Sequence, residues 1–309
     1  MVKRRKNTAG VNMSDYAFGD TRHLCIMTAA EWLAVGAERL ARAGVWEPRR
    51  EARLLIRAMG GCDPLLQPHG VVPEEQSAAL QRAFDRRCAR EPFAYIVGRR
   101  EFWGRDLATA RGVLIPRPES ETVVASVLER IGPTGAELVA DIATGSGAIG
   151  LALLSAWSKA VLHGTDTNPA ALTLASRNAE RLGLRPRTAW FGGDLWTALP
   201  ADHRGAYEVG VCNPPYVTPE EWETLDPEIR CWEPRSALVP PEGWRAIYTR
   251  VAADGRCWLR QGGLLAVEVG AATPQAEAVR NILIEHGFRD VWFARDFAGQ
   301  LRVVGGWRL

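Results

Sequence analysis

The sequence predicts an α/β fold: a mainly parallel sheet covered by helices on both faces, preceded by a small helical domain and joined to it by a β-hairpin. Three observations predict it. Short apolar strands alternate with helical stretches from residue 121 onward. A glycine-rich turn, Gly145-Ser146-Gly147-Ala148-Ile149-Gly150, follows the first of those strands and opens a helix. Residues 28–99 carry helical periodicity with no chemical motif of their own.

The helical domain comes first. Thr28 and Glu31 have the spacing of a capping box, and Trp32, Leu33, Val35, Leu40 and Ala43 follow at helical intervals. A second helix is expected from Pro48 to Met59, with Ala52, Leu54, Leu55 and Ala58 inward and Gly60-Gly61 as its stop. A third runs from Pro73 to about Arg90 around Leu80 and Phe84. Residues 100–120 form the hairpin and linker. Glu101-Phe102-Trp103-Gly104 and Gly112-Val113-Leu114-Ile115 read as its strands, and Pro116-Arg117-Pro118 enforces an extended link. In the domain of residues 121–309, strands are expected at Leu138–Ile142, Ala160–Thr165, Thr188–Phe191, Tyr207–Cys212 and Leu264–Val269, with two more near 289–293 and 301–307. Pro169–Leu182 and Thr273–His286 are intervening helices.

Bulk properties bound the function. The 309 residues are 47% hydrophobic and 24% charged with a net charge of +2, which suits a globular protein with a real core. Lys3, Arg4, Arg5 and Lys6 concentrate positive charge in an N-terminal arm, residues 1–27, expected to be disordered. Without those four the charge is −2, which argues against a stable nucleic-acid partner. The six cysteines have no C-x-x-C spacing and no histidine partners, so neither disulfides nor a metal site are expected. No apolar run approaches the ~18 residues that span a membrane. A cytoplasmic monomer is the simplest expectation.

Four strand ends carry the chemistry. After the first come Asp141, Ala143, Thr144, Gly145 and Gly147. Glycines there let the backbone turn tightly against a ligand, though the same turn suits a dinucleotide or no ligand at all. The second ends in Asp166, placed to accept two ribose hydroxyls or simply to cap the next helix. The third ends in Asp194-Leu195: the acid can accept an adenine amino group and the leucine can cover the ring, or the acid is a turn residue. The fourth ends in Asn213-Pro214-Pro215-Tyr216. A planar NH₂ group needs two in-plane acceptors, and the Asn213 side-chain oxygen and Pro214 carbonyl can supply them. Pro214 and Pro215 stiffen the turn, and Tyr216 offers a flat face to the bound amide or base. Such a clamp holds a nitrogen in line with a methyl donor.

With these blocks in place, the chain from about Thr28 resembles the HemK/PrmC family of protein-(glutamine-N5) methyltransferases. The resemblance is carried by Arg100-Glu101-Phe102-Trp103-Gly104, Val113 to Glu121 with its Pro116-Arg117-Pro118, Asn213-Pro214-Pro215-Tyr216, Trp232-Glu233-Pro234-Arg235, Glu268-Val269-Gly270, and Asp296-Phe297-Ala298-Gly299 with Arg302. It implies a Rossmann-like class I methyltransferase sheet. It also implies an S-adenosyl-L-methionine site at Asp141, Gly145, Asp166 and Asp194, and a clamp at Asn213 and Tyr216. The implied partner is a peptide chain release factor, methylated at the glutamine of its Gly-Gly-Gln motif. A ribosomal-protein glutamine, a small amide or guanidine, and DNA adenine are alternative substrates, and a non-catalytic scaffold is the non-enzyme alternative. Three departures stand out. Ala143 replaces the first glycine of the family turn, which alanine fits if φ is negative. Val239-Pro240-Pro241-Glu242-Gly243 replaces a glycine-rich segment that the family places near the substrate mouth. Gln300-Leu301 replaces a more polar pair.

Overall fold

The computed structural model describes residues 27–271 and 273–309, in two compact units that divide between Phe93 and Ala94. All but the last residue of the expected basic arm lies outside the described residues.

The first unit contains α1 (Ala29–Arg42), α2 (Pro48–Met59) and α3 (Glu74–Cys88). The capping box at the start of α1 forms as the spacing requires: the Glu31 N–H donates to Thr28 Oγ1 at 3.3 Å and the Thr28 N–H donates to Glu31 Oε2 at 2.8 Å. Trp32, Leu40, Leu55, Ile56, Leu80 and Phe84 are fully buried and form the core. Ile56 takes the inward place expected of Leu54 and Ala58, which are half-buried.

The second unit opens within the short helix α4 (Phe93–Val97), whose first residue closes the first unit, and continues with the antiparallel hairpin β1 (Arg99–Phe102) and β2 (Arg105–Ala108). The hairpin is tighter than the sequence suggested. Trp103 and Gly104 both have positive φ, 51° and 65°, and make the two-residue turn themselves rather than ending a strand. Residues 112–115 are therefore not the second strand. Their backbone groups are met by side chains: Tyr95 donates to the Val113 carbonyl (2.6 Å), Asn168 to the Gly112 carbonyl (2.8 Å), and the Ile115 N–H donates to Glu233 (3.0 Å). Because Tyr95 is tied in this way, the division falls six residues before the expected end of the helical domain.

The rest is a seven-stranded sheet of β3 (Leu138–Ile142), β4 (Val161–Asp166), β5 (Thr188–Gly192), β6 (Tyr207–Cys212), β7 (Leu259–Glu268), β8 (Phe288–Arg295) and β9 (Leu301–Arg308). Its order is β5-β4-β3-β6-β7-β9-β8, parallel through β7, with β9 and β8 antiparallel. β7 begins five residues earlier than expected, across a register irregularity opposite Tyr207–Val209.

Strand alternation feeds two cores. Val139, Leu162, Val209, Val211 and Leu264 face α5 (Glu121–Ile131) and α6 (Ala148–Ala156). Ala140, Ile142, Cys212, Leu265 and Val267 face α10 (Trp244–Trp258) and α11 (Thr273–Glu285). The intervening helices are α7 (Pro169–Arg181), α8 (Pro219–Thr224) and α9 (Pro227–Arg230). β3 pairs with both β4 and β6, so the strand order reverses there and leaves a crevice at the C-terminal strand ends.

Candidate active site

A cavity of about 410 Å³ opens at that crevice, within the size range of small-molecule sites. The β3–α6 turn forms one wall. Asp141, 1% exposed, does not line the cavity. Its Oδ2 accepts from Thr144 Oγ1 (2.6 Å) and the Gly150 N–H (3.0 Å), so it braces the turn from behind. Burial pushes its carboxyl up to about 6 against those two hydrogen bonds. Thr144 and Gly147 likewise stay off the cavity wall, whereas Ala143 and Gly145 line it.

Ala143 has φ +56°, not the negative value that would suit alanine. The turn imposes a left-handed conformation at this position, which disfavours any residue with a Cβ. Gly145, at φ +57°, sends its N–H to Asp166 Oδ2 at 2.9 Å. Asp166 Oδ1 accepts the Asn168 N–H at 2.8 Å. Asp166 thus lines the cavity in a fixed orientation, and burial raises its pKa. Each oxygen keeps a second lone pair, so the carboxylate can accept ribose hydroxyls. A rigid acid beside a left-handed turn, in a cavity of this size, fits the nucleoside part of S-adenosylmethionine.

At the end of β5, Gly193, Asp194 and Leu195 line the next stretch of wall. Asp194 is already partnered: Arg250 of α10 donates to its Oδ2 and also to Glu242 Oε1 (2.7 Å). Pro241 and Glu242 line the cavity beside this cluster. The segment that departs from the family therefore forms part of the wall next to Asp194.

The turn after β6 forms the facing wall. Asn213 and Pro215 line the cavity, and Pro214 is buried. Asn213 Nδ2 donates to Ser120 Oγ at 3.3 Å, which leaves Oδ1 as the free in-plane acceptor. Tyr216 departs from expectation, because its ring does not line the cavity. Its hydroxyl donates to Glu268 Oε1 (3.2 Å), and the ring packs against Gly270, where a Cβ would come within 3.3 Å of it. Gln275 completes the support by accepting the Gly270 N–H (2.6 Å) and donating to the Tyr216 carbonyl (3.2 Å).

Two residues that carried no signal in the sequence, Arg250 and Gln275, reach the site from distant segments, as does Ser120, which lay inside the Val113–Glu121 block without a role of its own. Glu233 does more than mark a motif: it accepts Arg117 (2.6 Å) and the Ile115 N–H, locking the Pro116-Arg117-Pro118 link beside the cavity-lining residues 112–114.

The PrmC N-terminal domain model matches residues 31–98, and the methyltransferase small domain model matches residues 121–226. The release factor glutamine methyltransferase of Cereibacter sphaeroides is 36% identical over 90% of this chain and 98% of its own length. That of Bordetella pertussis is 39% identical over 84% of this chain and 95% of its own. Among solved structures, the hMettl16 catalytic domain in complex with a 3′UTR hairpin superposes with a TM-score of 0.54. It is 16% identical and covers 75% of this chain and 81% of that one, which is a likeness of fold.

Proposed function

The chain belongs to the release factor glutamine methyltransferase family and is an S-adenosylmethionine-dependent methyltransferase, and on that premise we propose that it methylates the N5 side-chain amide nitrogen of the glutamine in a release factor's Gly-Gly-Gln motif. The observation that carries this reading is Asn213: it sits on the cavity wall at the end of β6, with its own NH₂ turned to Ser120.

S-Adenosylmethionine supplies an electrophilic methyl group on a sulfonium. Asp166 and Gly145 hold the nucleoside portion, with Ala143 and Leu195 as apolar wall. Asn213 Oδ1 and the Pro214 carbonyl accept the two N–H bonds of the glutamine amide. That keeps electron density on a nitrogen whose lone pair is otherwise drawn into its carbonyl, and fixes its direction of approach. Tyr216 acts from behind the turn by holding it rigid. A glutamine between glycines enters a narrow slot without neighbouring side chains in the way. The first unit, whose described residues carry no catalytic constellation, serves to recognise the partner protein.

The test gives the purified enzyme labelled S-adenosylmethionine and three acceptors: a release factor, a large-subunit ribosomal protein mixture and adenine-containing DNA. Label on the release factor, lost when its motif glutamine becomes alanine, is expected. Label only on ribosomal protein or only on DNA overturns the reading.

A further inference from the structure

We propose that Arg250 and Glu242 set the base specificity of the cofactor site: Arg250 positions the Asp194 carboxylate for an exocyclic amine, and Glu242 holds Arg250 away from the base. The proposal rests on the reading of Asp194 as the acceptor for the adenine amino group and makes no use of the methyl-accepting protein.

Asp194 is not an ordinary turn residue. It stands at the N-cap of the short 3₁₀ helix Leu195–Ala198, yet its side chain makes no capping hydrogen bond. The residue lines the cavity instead. Its neighbour Leu195 holds φ at +48°, a costly conformation for a residue with a bulky side chain, and lines the same wall. The Gly193 N–H donates to the Asp166 carbonyl at 3.0 Å, which ties this turn to the acid that faces the ribose.

Arg250 is the partner of the Asp194 carboxylate. One guanidinium nitrogen, Nη2, donates to Asp194 Oδ2, and the other, Nη1, donates to Glu242 Oε1 at 2.7 Å. Glu242 is itself held in place. Pro240 is buried, its carbonyl accepts the Gly243 N–H at 3.1 Å, and Pro241 stiffens the step between them. Stability does not account for these bridges. The side chains of Asp194, Arg250 and Glu242 are 54%, 37% and 37% exposed, and ion pairs so open to water contribute little to folding. All three residues line the cavity.

The arrangement is directional. With Oδ2 committed to Arg250, Oδ1 of Asp194 has no partner among the described residues. An ionised carboxylate can only accept. Adenine offers it an amine donor, whereas a 6-oxo purine offers an oxygen in the same place, acceptor against acceptor. Arg250 could relieve that clash by turning an N–H to the purine oxygen. Its planar fork is held at both ends, however, so the turn would break both bridges. Rejection of the wrong base therefore depends on Glu242 as much as on Asp194.

The experiment is calorimetry on the full chain with S-adenosylhomocysteine and with S-inosylhomocysteine, its 6-oxo analogue. The ratio of the two affinities is the readout, because a loosened fold weakens both ligands alike. Wild type is expected to prefer the adenosyl ligand by about 100-fold. Arg250→Met should weaken the adenosyl ligand about tenfold and leave the inosyl ligand nearly unchanged. Glu242→Ala should leave the adenosyl ligand within about threefold and tighten the inosyl ligand about tenfold, since the freed arginine can now reach the oxygen. Glu242→Gln keeps an oxygen for Nη1 and should restore the wild-type ratio. Asp194→Asn, whose amide can donate to the 6-oxo group, should move the ratio furthest toward the inosyl ligand. No movement in Asp194→Asn would take the acid away from the base and overturn the proposal at its root. Movement there with an unmoved ratio in Arg250→Met or Glu242→Ala would leave the acid at the base and overturn the roles of the other two. Equal losses on both ligands in Arg250→Met would overturn it as well, making the arginine a general support of the cavity.

Discussion

The two walls of the cavity are built differently. The wall from β3 to β4 is held by local contacts. Asp141, Thr144 and Gly150 lie within ten residues of one another, and Gly145 reaches Asp166 only one strand away. The wall after β6 is held by residues far apart in the chain. Asn213 leans on Ser120, 93 positions away, and Tyr216 on Glu268, 52 positions away. The first wall needs only backbone shape to receive a nucleoside. On the proposed reading, the second must present the Asn213 side-chain oxygen to a substrate amide, and that orientation depends on Ser120, a residue from another element.

The comparison breaks most visibly at Glu268. Its folded pKa, about 7, lies above the ordinary 4.5. The folded protein therefore binds the proton more tightly than the unfolded chain. No penalty exists below about pH 4.5; it grows as pH rises through that window and is complete above about 7. Glutamine carries no such titration. The stability of Glu268→Gln relative to wild type should improve by about 3 kcal/mol between acidic and mildly alkaline pH, at about 1.4 kcal/mol per unit. Urea unfolding at both ends of the range measures it. A stability difference that does not move with pH would show that Glu268 is not buried as a titrating acid.

Next in size is Asn213→Ala, expected to slow methyl transfer on the order of 100-fold in single-turnover assays while S-adenosylmethionine binds normally. Normal turnover would remove Asn213 from the clamp and leave the second wall without a chemical role. On the first wall, Asp166→Ala should weaken S-adenosylmethionine by about 2 kcal/mol, roughly 30-fold in Kd, because the Gly145 and Asn168 N–H groups lose their partner along with the ligand. Calorimetry with unchanged affinity would place the cofactor elsewhere. The smallest effect sharpens the local character of that wall. Ala143→Gly should stabilise the protein by about 0.5 kcal/mol, the relief of left-handed strain less the greater freedom of glycine in the unfolded chain. Thermal unfolding that shows a loss instead would mean that the Ala143 methyl contributes packing worth more than the strain.

The same division governs what was legible beforehand. The helices of the first unit and most strands of the second were readable because capping pairs and apolar periodicity act within a few residues. The hairpin was misplaced because Trp103 at positive φ carries no sequence signal of its own, while Gly112 suggested a strand start that side chains had already made unnecessary. Asp141 was expected at the cofactor and instead braces the turn from behind; Tyr216 was expected on the amide and instead points to Glu268. In both cases the motif lies in a turn beside the cavity, but which face of it met the cavity depended on neighbours from other elements.

By itself the sequence determined the alternation of strands and helices, the glycine turn, the acid after β4 and the Asn213 turn after β6, since each is set by local backbone preference or a compact motif. Only the tertiary structure decided that Ala143 sits at positive φ, that Arg250 ties Asp194 to Glu242, and that Ser120 stands behind Asn213 and Glu268 behind Tyr216. Those outcomes depend on which segments the sheet order brings side by side, and on burial that gives a carboxylate a near-neutral pKa. Neither quantity exists until the chain has closed its two cores.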